Sequence, residues 1–217
     1  MKAMHLILQF FAIRLVFKEW EKLRPILVRE YQNFIYETAF APPLMTQKLL
    51  ISAEDHRFFS HPGFDLIAIC RCIYRRTMCG KIEGASTIEQ QIVRTLTGQY
   101  KRTIRRKIKE ILLAVLLTSV VPKRDLPGLY LQIGYYGWRM NSFREACLRL
   151  GLDARNMSLP DAAGVIARLK YPEPRLSSGK REAQIGNRAS HLMKLHSIHA
   201  SISIYRGLPL QVKYATF

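Results

Sequence analysis

Residues 53–65 read Ala-Glu-Asp-His-Arg-Phe-Phe-Ser-His-Pro-Gly-Phe-Asp, so three carboxylates, two histidines and an arginine alternate with aromatic side chains. A glutamate set among phenylalanines suits a general base working near neutral pH, because partial loss of water makes its carboxylate more basic. Glu54 is the candidate, with Phe58 and Phe59 to desolvate it and Asp55 or Arg57 to orient it. The simpler alternative is a surface network of Glu54, Arg57 and His61 at three- and four-residue spacing.

A second concentration is basic. Arg94, Lys101, Arg102, Arg105, Arg106, Lys107 and Lys109 precede the next acid, Glu110. On a helix Arg102, Arg106 and Lys109 share a face, and Arg106 lies four residues before Glu110. A lone carboxylate in such a run can hold cations, or a metal, against a substrate phosphate. The bland alternative is that most of these side chains are solvated. Upstream, Ser86-Thr87-Ile88-Glu89 has the form of a capping box, which predicts a helix start with free amides and a positive dipole end. Ser86, Thr87, Gln90 and Gln91 add neutral donors there. A carboxylate base together with a phosphate cradle points to group transfer with a phosphate-bearing leaving group.

The elements that position these groups read as helices. One is predicted from the Ser86 cap to about Leu96, stopped by Gly98. A second spans about Arg102 to Val120, closed by Pro122, with Ile104, Ile108, Ile111, Leu112, Val115 and Leu116 as its apolar stripe. Others cover Pro160 to Leu169, capped by Ser158, and Lys180 to Leu195. Residues 31–43 and 171–178 read as connectors. Few runs alternate like strands, so the predicted class is all-α. Residues 4–17 are mostly apolar but fall short of the ~20 needed to span a bilayer. Three readings compete for residues 1–22: a helix lying in the membrane interface, a weak anchor or a packed helix, with membrane contact favoured. Lys and Arg number 34 against 16 acids, a net charge of +18 that suits a polyanionic partner or surface. The four cysteines include no CxxC pair, so neither a disulfide framework nor a zinc site is expected, and the thiols read as buried or half-buried.

These residues resemble the family 51 glycosyltransferases, the peptidoglycan transglycosylases that polymerise lipid II. The pattern E-D-x-x-F-x-x-H-x-G-x-D is met by Glu54, Asp55, Phe58, His61, Gly63 and Asp65. G-G-S-T-I-x-Q-Q appears as residues 84–91 with Ala85 for the second glycine, and R-K-x-x-E is Arg106-Lys107-Ile108-Lys109-Glu110. Tyr130-Leu131-Gln132 with Gly137, and Leu159-Pro160-Asp161-Ala162-Ala163, resemble two later segments. The likeness runs from about residue 40 to 193. It implies a lysozyme-like, largely helical domain at 23–195 whose hydrophobic small lobe contacts the membrane, with a tail of open role at 196–217. It further implies that Glu54 is the general base and Glu110 the second catalytic carboxylate. Asp55, Arg57, His61, Ser86, Thr87, Gln90, Gln91, Arg94, Arg106 and Lys107 would bind substrate, while His61 and Asp65 mainly organise the first motif. No cofactor is obligatory by this resemblance, though Glu110 would suit a divalent cation, Mg or Mn.

The implied partners are lipid II, a lipid-linked glycan chain, an anionic membrane surface and cell-wall synthesis proteins, at the outer face of a bacterial inner membrane. A monofunctional enzyme is expected, since Ser177-Ser178-Gly179-Lys180 spells S-x-x-K but no K-T-G exists. Departures from the pattern are Arg94 for Lys, Gln132 for Asn, Asp161 for Glu, Thr118 where an acid is expected, and Pro127-Gly128 where a helix is expected. They keep a rival in view, a catalytically silent membrane scaffold or lipid-carrier binder. A nucleic-acid-binding protein is the more remote rival, since no helix-turn-helix, zinc or RNA-binding signature accompanies the charge.

Overall fold

The computed structural model describes residues 2–81, 84–176, 178–201 and 204–208, the side chains of residues 2 and 3 excepted. In chain order the helices are α1 (Lys2–Leu15), α2 (Phe17–Tyr36), α3 (Leu44–Glu54), α4 (Leu66–Cys79), α5 (Ile88–Thr97), α6 (Ile104–Leu116), α7 (Leu126–Ile133), α8 (Phe143–Leu150), α9 (Leu159–Lys170) and α10 (Gly179–Ser201). Among the described residues there is no sheet, only two isolated bridges at Gly137, so the chain is all-α as predicted. It divides into two compact units, residues 1–28 with 57–123, and residues 29–56 with 124–217.

In the first unit α6 packs against α1 and α5. Caps define the ends. The Asp65 carboxylate accepts from the Ile67 and Ala68 amides at the start of α4, and Thr103 accepts from the Arg106 amide at the start of α6. The α5 cap is Thr87, accepting from the Gln90 amide, and not the predicted Ser86; Gly98 closes that helix in the left-handed conformation. Helix α6 is shorter than predicted and tightens into a 3₁₀ turn at Leu117–Ser119. Its predicted apolar stripe holds at Val115 and Leu116, which are buried, but not at its start. Ile104 and Ile108 are exposed, while Glu110, Leu113, Ala114, Val115 and Leu116 are buried, because the face turned inward is the one that carries the acid.

Helix α1 buries Ala12 but turns much of its apolar surface outward. Its polar residues His5 and Gln9 turn to Thr118 (2.7 and 3.2 Å), and Gln9 also donates to the Val115 carbonyl. Thr118, where an acid was expected, thus serves as the hydroxyl partner of α1. Leu6, Ile7, Phe10, Phe11 and Leu15 lie on the outside, each more than half exposed.

Gly63 sets how closely α6 approaches the first motif. Its φ of +123° is open to glycine, and an added Cβ would stand 2.8 Å from the Ala114 carbonyl oxygen. Its own carbonyl accepts from Thr87 Oγ (2.7 Å). Gly63→Ala therefore meets both strain and backbone overlap, and should cost about 3 kcal/mol. Chemical denaturation checks this, and a loss under about 1 kcal/mol would contradict it.

In the second unit α3 packs against α7, α9 and α10, and α9 against α10. Helix α9 starts at its Ser158 cap as predicted. Three expectations change. Helix α2 runs on to Tyr36, into the predicted connector, which is left at 37–43, and α10 runs on to Ser201 past the predicted end. Pro127 does not break a helix but opens α7, where its missing N–H costs nothing, and Gly128 admits the Phe34 ring where a Cβ would lie 2.6 Å from it. The S-x-x-K tetrad begins at Ser177, outside the described residues, as are 202, 203 and 209–217 of the tail. Of the cysteines only Cys147 is buried; Cys70 and Cys79 are exposed, because α4 shows most of its surface to solvent.

Candidate active site

In the first unit α5 and α6 bring together Ser86, Gln90, Arg94, Arg106, Lys107 and Glu110. The Glu110 carboxylate is 2% exposed. It accepts from Arg94 Nε (3.1 Å) and Nη2 (3.0 Å), from Lys107 Nζ (2.7 Å), and from Arg106 Nη1. Lys107 also donates to Ser86 Oγ (3.0 Å) and to Gln90 Oε1, and Arg94 Nη2 reaches Ser86 Oγ (3.2 Å). Three cations around one anion leave a surplus of positive charge at the N-terminal end of α5. Burial pushes the Glu110 carboxyl up, but the hydrogen bonds and charges of Arg94 and Lys107 outweigh it and hold the group below the usual range. Burial likewise pushes the Lys107 ammonium down, against the pull of Glu110. Gln90 Nε2 and Arg106 Nε are buried donors with no acceptor among the described residues. A cavity of about 230 Å³ adjoins Arg106 and Glu110, with Leu23, Ile26, Val93, Leu96 and Leu113 in its wall.

The first motif divides between the units. Arg57 donates to Asp65 (2.9 Å). Burial raises the Asp65 carboxyl, but the Ala68 amide, Arg57 and His61 together hold it low. His61 Nδ1 accepts from the Gly63 amide (3.2 Å). Lys123, which the sequence did not single out, donates to the His61 carbonyl (2.7 Å) and to buried Glu89 (2.6 Å) while lying over the Phe58 ring.

In the second unit Glu54 ends α3, followed by Asp55 as the C-cap. A helix C-terminus is an unfavourable place for a carboxylate. Arg188 of α10 offsets it, its Nη2 donating to the Ala53 carbonyl (3.1 Å) and to Glu54 Oε1 (3.4 Å). Nothing in the sequence marks Arg188, since only the packing of α10 on α3 selects it. Two residues before Glu54, Ser52 Oγ is 2.5 Å from the Tyr205 hydroxyl, which also meets His196 Nδ1 (2.9 Å).

A family model described as Transglycosylase matches residues 22–196. The chain belongs to the transglycosylase family. Among its relatives, penicillin-binding protein 1F of Bacillus subtilis (strain 168) is 35% identical over 132 residues, 60% of this chain and 18% of that protein. Penicillin-binding protein 1A of Escherichia coli (strain K12) is 39% identical over 99 residues, 45% of this chain and 12% of that protein. A monofunctional glycosyltransferase of Staphylococcus saprophyticus is 28% identical over 136 residues, 61% of this chain and 50% of that protein. The chain thus spans half or less of the length of these curated relatives. The ordered motifs of the transglycosylase domain fall where the structure concentrates its buried charge, at the α3 end and on α5 and α6.

Three histidines give the chain an acid-side weakness. Burial, helped by Lys123 at His5, by Lys48 at His196 and by His56 at His199, lowers all three from the ordinary 6.5. The unfolded imidazoles therefore take up protons that the folded ones resist, so stability is complete above about 6.5 and is lost as the pH falls through it. The denaturation midpoint should be lower at pH 5.5 than at pH 7.5, and an equal or higher midpoint at pH 5.5 would contradict this.

Proposed function

We propose that the chain is a peptidoglycan glycosyltransferase that polymerises lipid II into β-1,4-linked glycan by inverting transfer. The observation that carries the reading is the Glu110 cradle. It is a buried carboxylate ordering Arg94, Arg106 and Lys107 beside the neutral groups of Ser86 and Gln90. In the transfer, the acceptor sugar's 4-hydroxyl gives its proton to the Glu54 carboxylate while its oxygen bonds to the donor's anomeric carbon from the opposite face. The glycosidic bond to phosphate breaks, and its electron pair leaves on undecaprenyl pyrophosphate. Arg94, Arg106 and Lys107 meet the charge that grows on that leaving group, and Gln90 Nε2 supplies a further donor. Because Glu110 fixes the cations before reaction, little reorganisation is needed at the transition state. The apolar wall beside Arg106 gives room for the first part of the lipid chain.

No step runs through a divalent cation. Hard cations take several oxygen ligands, and the groups closing on Glu110 are two guanidiniums and an ammonium, which repel one. No helix among the described residues is long and apolar enough to cross a membrane. The 14-residue α1 measures only about 21 Å. Its outward apolar face supports a helix lying in the interface of a bacterial inner membrane, on the outer face where lipid-linked substrate is used. The departures at Thr118 and Pro127 are locally satisfied, so they do not favour a silent scaffold.

The test is polymerisation of fluorescent lipid II by detergent-solubilised protein, with and without moenomycin. Glycan chains that disappear with the inhibitor are expected. Folded protein that binds lipid II yet makes no chain would overturn the reading in favour of a scaffold.

A further inference from the structure

Three arginines from separate stretches of the second unit converge on one indole. The guanidinium carbons of Arg139, Arg149 and Arg175 lie 4.5, 4.8 and 5.6 Å from the centroid of the Trp138 ring. Arg139 is in the turn after α7, Arg149 in α8 and Arg175 in the connector after α9. The backbone beneath them is pinned. Trp138 N donates to the Glu173 carbonyl (2.8 Å), Glu173 N to the Tyr136 carbonyl (3.0 Å), and Met140 N to the Gly137 carbonyl (3.0 Å). Arg139 takes a left-handed φ of 57°, which bulky residues rarely adopt.

All three arginines are exposed, and among the described residues none of them has a carboxylate or hydrogen-bond partner. Elsewhere in the same unit Arg168 and Arg188 each have an acid. Gathering like charges around a single ring without a counter-anion is unfavourable, and an incoming anion relieves it. Stacking leaves the N–H edge of a guanidinium available, and that edge takes a carboxylate in bidentate fashion. The three guanidiniums come from three separate stretches of chain, so each can take its own carboxylate, which suits several acids spaced along a peptide.

We propose that Trp138 with Arg139, Arg149 and Arg175 forms a binding site for an acidic peptide, a site separate from the transfer chemistry. Titration of the full chain with hexaglutamate at a fixed ionic strength of about 0.15 M, read by indole fluorescence, tests it. The expected result is a saturable change in emission at roughly sub-millimolar concentration. The change should vanish in Trp138→Phe, because Trp20, the other tryptophan, is buried away from solvent. Arg149→Gln with Arg175→Gln should weaken binding at least about tenfold with an unchanged unfolding midpoint, since both positions are exposed. Inorganic phosphate at matched ionic strength should leave the emission flat. A titration that fails to saturate, equal affinity in the double variant, or tighter saturation by phosphate would each overturn the proposal.

Discussion

Glu54→Gln should lower the rate of lipid II polymerisation by about a thousandfold, within the range for losing a general base. The amide keeps the size of the carboxyl and still accepts from Arg188, and the Glu54 side chain is already 23% exposed. Stability should therefore move by less than about 1 kcal/mol. That separation matters, because a lost rate with an intact unfolding midpoint assigns the loss to chemistry rather than to folding. Binding of lipid II, measured apart from turnover, should survive. A variant retaining more than a tenth of the wild-type rate would remove Glu54 from the role of base while leaving the family assignment untouched.

Glu110→Gln should behave differently and damage both rate and fold. The substitution leaves Arg94, Arg106 and Lys107 facing one another without the carboxylate that neutralises them. Removing one partner of a buried ion pair costs about 3–5 kcal/mol, and the lower end applies because Arg94 and Lys107 are 29% and 33% exposed. Since the folded Glu110 carboxyl is held below its ordinary value of 4.5, its contribution in the wild type is present above that value and lost as the pH falls through the folded one. Lys107, already lowered by burial, loses its main electrostatic support in the variant. Folded variant should polymerise about a hundredfold to a thousandfold more slowly, as for other losses of charge stabilisation. Inorganic pyrophosphate should raise the variant's unfolding midpoint more than the wild type's, because the anion replaces the missing charge. If pyrophosphate stabilises neither protein, the cradle does not bind the leaving group.

The site was partly legible along the chain because its residues lie close together in sequence. Arg106, Lys107 and Glu110 fall within one and a half turns of a helix, so their meeting follows from helical spacing alone. Thr87 beside Ser86 shows where such reasoning fails. Either hydroxyl suits a cap, and the choice depends on Gly63, whose carbonyl accepts from Thr87 and frees Ser86 for Arg94 and Lys107. Arg57 shows another limit, since local spacing does not reveal its bond to Asp65, the cap of α4.

The sequence by itself determined the all-α class and the family and put two glutamates forward as candidates, because periodicity, caps and ordered motifs are local properties of a chain. Only the tertiary structure decided which partners those groups keep. Arg188 reaches Glu54 from 134 residues away, and Lys123 reaches Glu89 across 34. It also decided that α1 turns His5 and Gln9 inward and Leu6, Ile7, Phe10, Phe11 and Leu15 outward, which composition cannot reveal, because the direction a helix faces depends on what packs against it.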